Sequence, residues 1–267
     1  MSRALIFLLL FTLAACGPRL HQVPVRAVAA HSRASTPPAT VVSQQFGDLH
    51  PTDWQGNAPQ RYAVHGIDVS VWQGAIDWRQ ARAGGVNFVF MKATEGGDRV
   101  DPNFGRNWQA AAAAGVWRGG YHLFYHCRPA VEQARWYIRN VPRSASALPP
   151  VLDMEWTPTS PTCRIRQPPA VIRAEARAFL SVVGAHYGKR PILYTTPDFF
   201  HDNDLGQLSG VTFWLRSVAA PVAQTYPGQA WTFWQYSGTG QVQGIGGKVD
   251  LNAFAGTRQG WTAFAGG

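Results

Sequence analysis

The chain is expected to be an α/β protein, an irregular TIM-like (β/α) barrel of eight strands with fewer helices in its second half. Three observations carry this expectation. From about residue 61 onward, short apolar runs alternate with helix-like stretches, at 63–69, 86–92, 115–124, 150–155, 191–195, 212–215, 232–236 and 248–251. Helical spacing fills the gaps between the first five runs, at 78–83, 103–114, 130–140 and 170–187. After Thr195 the connections are rich in Gly and Pro and read as loops. Asp77 and Asp101, each just ahead of a helix, are expected to be N-caps.

The residues before the barrel are of a different kind. Arg3 leads into an apolar run at 4–13, too short to span a bilayer, then Leu13-Ala14-Ala15-Cys16. Residues 1–15 thus read as a signal peptide, and the small residues ahead of the Cys resemble a bacterial lipobox. That resemblance implies a lipid on Cys16, attachment to a membrane through it, and a place in the bacterial cell envelope, on the periplasmic side. The competing reading is an ordinary cleaved signal with an incidental Cys. Residues 16–60, rich in Pro, Ser, Ala and Thr, are expected to be a flexible tether, and 61–267 the barrel. With Cys16 acylated, Cys127 and Cys163 remain as a pair in an oxidising compartment, and a disulfide between them is expected. Two buried thiols are the alternative.

Composition bounds the partners. The chain has 267 residues, 46% hydrophobic and 15% charged, enough for one full-sized core. Its net charge of +9 favours an acidic partner. Arg residues are scattered and no zinc-finger spacing or ribonucleoprotein motif is present, which argues against nucleic acid. A monomer is expected.

In such a barrel the chemistry sits where strands end. The strand ends carry Asp68, Lys92 to Glu95, Tyr121, Asp153-Met154-Glu155-Trp156, Tyr194, Trp234-Gln235 and Asp250. Asp153 and Glu155 are two apart in an extended chain, so both project to one face with Cα atoms about 6 to 7 Å apart. At an effective dielectric of about 20 their charges repel by roughly 2 to 3 kcal/mol. One carboxyl therefore holds its proton near neutrality. Trp156 beside Glu155 points to Glu155 as the acid and Asp153 as the ionised partner. The plainer reading is a structural hydrogen-bonding or ion-binding pair. Acid–base carboxyl pairs cleave glycosidic bonds, and aromatic faces pack on sugar rings. Most of the eleven Trp are expected in the core; Trp234, next to Gln235, is placed in the sugar cleft.

Other chemistries lack their residues. His122 and His126 have no Glu between them and lie on a strand, so no metal is expected. No G-x-S-x-G elbow is present, and Gly244-Ile245-Gly246-Gly247 opens no helix. No cofactor is implied.

Six segments in order now bear on family: HGIDVSVWQG from His65, FVFMKATEGG from Phe88, GGYHLFY from Gly119, PPVLDMEW from Pro149, RPILYTT from Arg190 and WQYSGTGQVQGIGGKVDLN from Trp234. Together, over about 62–254, they resemble the glycoside hydrolase family 25 lysozymes, the Chalaropsis-type N-acetylmuramidases. The resemblance implies hydrolysis of the β-1,4 bond between N-acetylmuramic acid and N-acetylglucosamine in peptidoglycan. By position, Glu155 matches the general acid and Asp153 the carboxylate assisting the substrate's acetamido group. Asp68 and Asp250 match the acidic residues flanking the cleft, and Tyr121 a site tyrosine. Tyr194, Trp234 and Gln235 are placed among the sugar contacts. Retention of the anomeric configuration is expected. Two features depart from the family pattern: the apparent lipid anchor, and Trp214-Leu215-Arg216-Ser217, where a smaller or aromatic pair is commoner. Two other functions stay open, a non-catalytic peptidoglycan-binding lipoprotein and a glycosidase acting on another N-acetyl-sugar polymer.

Overall fold

The computed structural model describes residues 40–266. The signal peptide expected at 1–15 and the lipidation expected at Cys16 lie outside the described residues. Eight strands close on themselves: β1 (His65–Val69), β2 (Phe88–Glu95), β3 (Trp117–Leu123), β4 (Val151–Met154), β5 (Ile192–Thr195), β6 (Thr212–Arg216), β7 (Phe233–Gln241) and β8 (Val249–Phe254). Neighbours from β1 to β7 are parallel. The closing strand β8 runs antiparallel to both β7 and β1, a departure from the all-parallel order of a regular (β/α) barrel. Only residues 242–248 join β7 to β8, and a parallel crossover needs about a dozen or more.

The strands are apolar on both faces because both are covered. Outward residues such as Val89, Met91, Leu152, Met154, Leu193 and Leu215 pack under the helices. Inward residues form a separate aromatic plug at the barrel floor. Phe90 lies 4.7 Å from the Trp214 ring and Phe88 lies 5.2 Å from Phe233. Trp261 closes the plug, 5.2 Å from Phe88. Gly66 makes the plug possible, since a Cβ there would sit 2.3 Å from the Phe88 carbonyl oxygen.

The helices α1 (Trp78–Ala83), α2 (Phe104–Ala113), α3 (Ala130–Asn140) and α4 (Pro169–Tyr187) stand where helical spacing placed them. Asp77 caps α1, accepting from the Arg79 and Gln80 amides at 3.0 Å. Asp101 is not a helix cap. Its carboxylate accepts from the Val71 amide at 2.7 Å and the Asn103 amide at 2.8 Å, tying the loop after β1 to the loop before α2. The stretch read as loops after Thr195 holds short helices, α5 (Pro197–Asp202), α6 (Val222–Thr225) and the C-terminal α7 (Arg258–Gly266), which carries Trp261.

The tether expected to run to residue 60 is corrected over its described part. The Val42 amide donates to Asn87 Oδ1 at 2.9 Å, Gly47–Asp48 pairs with the end of β7, and Trp54 packs edge-on to Trp234 at 5.0 Å. These residues cover a strand edge and an indole face that water would otherwise reach.

Candidate active site

The C-terminal ends of the parallel strands surround a cavity of about 330 Å³. Asp68, Tyr121, Asp153, Glu155, Tyr194, Gln235 and Asp250 all line it. Asp250 reaches this rim from the start of β8, not its end, because β8 runs backwards and sets Asp250 opposite Asp68.

A hydrogen-bonded chain holds Asp68 from below. Gln235 Nε2 donates to its Oδ2 at 2.9 Å and Asn252 Nδ2 to the same oxygen at 2.7 Å. Gln235 Oε1 in turn accepts from the Tyr194 hydroxyl at 2.9 Å, and Asn252 Oδ1 from the Trp214 indole at 2.8 Å. Burial pushes the Asp68 carboxyl up to about 6 against the pull of these donors. Burial, reinforced by the charge of Asp68, pushes Asp250 up to about 8.

Asp153 is 7% exposed, and its Oδ1 has no hydrogen-bond partner among the described residues. Burial and the charge of Glu155 push it well above the usual carboxylate range. Glu155, half-buried, is pushed up to about 7 by burial, opposed chiefly by the Arg216 charge. Both carboxyls of the pair are thus pushed toward the protonated form, and Asp153 is the more enclosed of the two. Trp156 does not desolvate Glu155. Its ring packs on Phe199 at 4.6 Å, its N–H donates to Asp202 at 2.8 Å, and it stays outside the cavity. The Glu155 backbone is held by His126 Nε2, 3.0 Å from its carbonyl oxygen.

Trp234 does not enter the cleft. It is 2% exposed, with its indole N–H donating to the Ser217 carbonyl at 2.7 Å and its ring packed against Trp54, Tyr62 and Trp231. Adjacent strand residues face opposite ways, so Gln235 inside requires Trp234 outside. The indole at the rim is Trp72, 86% exposed, on a short turn after β1. That turn is pinned: the Ser70 amide donates to Gln73 Oε1 at 2.8 Å, and Arg106 Nη2 donates to the Gly74 carbonyl at 2.9 Å. Trp72 stands four residues after Asp68 in the first of the six segments, a proximity that marks it, although its exposure is not readable from sequence. Lys92 and Arg216 also line the cavity. Lys92 is ion-paired with Glu95, which also accepts from the Tyr125 hydroxyl.

His122 is buried between Thr94 Oγ1 at 2.7 Å and Gln133 Oε1 at 3.1 Å, away from the cavity. Among the described residues no group of three or more His, Cys, Asp or Glu side chains is arranged to hold a metal ion. Cys127 and Cys163 form a disulfide with Cα atoms 5.8 Å apart, joining the loops that follow β3 and β4.

Comparison with known proteins agrees with this geometry. The chain is similar to the uncharacterized protein YegX of Escherichia coli strain K12, 40% identical over 217 residues, which are 78% of this chain and 76% of YegX. It is 35% identical over 212 residues to Lysozyme M1 of Streptomyces globisporus, covering 73% of this chain and 68% of that protein. The fold resembles the solved structure of a family 25 glycosyl hydrolase from Bacillus anthracis, with a TM-score of 0.71 and 32% identity over 82% of this chain and 99% of that one. Residues 67–245 match the model of glycosyl hydrolases family 25, and the chain therefore belongs to that family of glycoside hydrolases.

Proposed function

We propose that the protein is a lysozyme that hydrolyses the β-1,4 bond between N-acetylmuramic acid and N-acetylglucosamine in peptidoglycan. The observation that carries this reading is the placement of Glu155 and the partnerless Oδ1 of Asp153 side by side in one carboxyl-lined cavity. Relatives named as a lysozyme and as N,O-diacetylmuramidases support it.

Glu155 gives its proton to the bridging oxygen as the glycosidic bond breaks. The acetamido oxygen of the same sugar attacks the anomeric carbon, closing a cyclic oxazolinium. Asp153 accepts the acetamido N–H on Oδ1, and that hydrogen bond favours its charged form, so ionisation follows substrate binding despite the burial. Water then opens the ring, giving its proton back to Glu155, and the configuration is retained. Asp68 supplies negative charge beside the developing cation, and Asp250, kept protonated by burial at neutrality, is assigned to sugar contact. Tyr121, Tyr194 and Gln235 are assigned to sugar contact, with Trp72 taking the stacking role first given to Trp234.

Digestion of purified peptidoglycan, with the new reducing ends identified by mass spectrometry, tests the reading: muramic acid ends are expected. Glu155→Gln lowers the rate by about 10²- to 10⁴-fold while the thermal melt stays cooperative. Full activity in that variant overturns the assignment.

We further propose that residues 1–15 are removed and that Cys16 carries a lipid holding the enzyme at a bacterial envelope membrane, facing the periplasm. Labelled fatty acid should be incorporated into the chain and lost in Cys16→Ser.

A further inference from the structure

We infer that Arg216 is the cleft's receptor for a carboxylate on the glycan, and that it makes the enzyme select anionic over neutral N-acetyl-sugar chains. The inference rests on the muramidase reading and specifies which chains that site prefers.

Two basic side chains line the cavity, and their situations differ. Lys92 is spent on its ion pair with Glu95. Arg216 makes no ion pair or hydrogen bond to any described residue through its guanidinium, although Asp68, Glu155 and Asp250 all lie near enough to feel its charge. A residue present only to neutralise those carboxyls gains most by closing to contact with one of them, as Lys92 does with Glu95. Arg216 instead keeps its donors unspent inside a concave, half-buried site.

Its backbone is fixed on both sides. The Arg216 carbonyl accepts from the Tyr226 hydroxyl at 2.7 Å, and the next amide, Ser217, donates to the Gln235 carbonyl at 2.9 Å. In register Arg216 stands beside Gln235, which holds Asp68. The strand end that carries the guanidinium is thus rigid, so binding has only the side chain itself to order. A planar fork of N–H donors matches the two oxygens of a carboxylate.

Peptidoglycan offers that group in two places. The lactyl ether of muramic acid ends in a carboxylate once the stem peptide is gone, and the stem peptide carries carboxylates of its own. If the lactyl group is the ligand, an amide-hydrolysing reaction that strips the peptide must supply this substrate.

The test measures kcat/KM of the full chain on peptide-free and on peptide-bearing glycan, each also with its carboxylates converted to methyl amides. The wild type should prefer the anionic form by about tenfold or more, mainly through KM, on whichever glycan bears the recognised group. Arg216→Ala should bring that ratio to near one, and Arg216→Lys should keep only part of it, having charge without the fork. A pure counter-charge role shifts the pH profile on both forms alike and leaves the ratio as it was. A wild-type ratio near one, or an undiminished ratio in a folded Arg216→Ala, overturns the inference. Failure of the wild type to cut any of these glycans sinks the muramidase reading, and this inference with it.

Discussion

Trp72 and Trp234 share a side chain and differ in what surrounds it. Trp234 is enclosed by four aromatic rings and a carbonyl, so Trp234→Ala opens a cavity between strand and N-terminal cover and should cost about 3 to 5 kcal/mol of stability. Trp72 contributes almost nothing to the core at 86% exposure, and Trp72→Ala should change stability by no more than about 0.5 kcal/mol. Its expected effect is a severalfold higher KM for polymeric glycan, because a sugar loses its flat partner. Thermal melts together with steady-state kinetics separate the two; a large loss of melting temperature in Trp72→Ala would contradict this assignment. The sequence marks both as aromatic and near the site. Period-two alternation, applied with Gln235 inward, is enough to exclude Trp234, whereas nothing in the residue order announces that Trp72 is left uncovered.

At the scale of elements, the loops after β3 and β4 matter most, because the second begins with Glu155 itself. Cys127 and Cys163 join them across 36 residues, the Cys127 amide donates to Cys163 Sγ at 3.1 Å, and His126 steadies the Glu155 carbonyl. Closing a loop of that length removes unfolded-state entropy worth about 4 kcal/mol at most. Cys163→Ser, or reduction of the wild type, should therefore lower the melting temperature and also reduce kcat by loosening the acid, which calorimetry and assays with and without reductant would show. Strand positions were readable to within a few residues, since each is an apolar run between Gly- or Pro-rich breaks. The direction of β8 was not readable, because the apolar runs at 232–236 and 248–251 leave eleven residues between them, and only the extension of β7 to Gln241 shortens the connection to 242–248. The helix α7 was not readable. Its role depends on Trp261 meeting Phe88 and Phe254 across the barrel floor.

For the whole molecule, the gathering of carboxyls in one enclosed space sets how stability and activity depend on pH. Asp68, Glu155 and Asp250 are pushed up to about 6, 7 and 8, so the folded state holds protons that the unfolded chain releases at its ordinary carboxylate pKa. The stability each contributes is fully present below the unfolded pKa and is lost as pH rises through the folded value. Three buried imidazoles are pushed down by burial, His65 and His122 to about 4 and His126 also downward, and act the other way, but only below their ordinary value of 6.5. Between pH 6.5 and pH 8 the carboxyls act alone, and the melting temperature should fall as pH rises. Asp250→Asn should flatten the upper part of that fall, and hydrolysis should decline above about pH 7 as Glu155 loses its proton. Melts across this range check the first two outcomes and a pH–rate profile the third; a flat melting profile would count against the enclosed cluster.

Residue order alone determined the α/β architecture, the family and the presence of Asp68, Asp153, Glu155 and Asp250 in the strand motifs, because periodicity and motif spacing are local properties that survive without coordinates. Only the closed barrel decided which of those carboxyls is most deeply enclosed, that Trp234 leaves the cleft while Trp72 guards it, and that Arg216 stands unpaired among acids. Burial and electrostatic environment belong to what the remainder of the chain places around a residue, and folding brings together neighbours that sequence separates by tens to hundreds of positions.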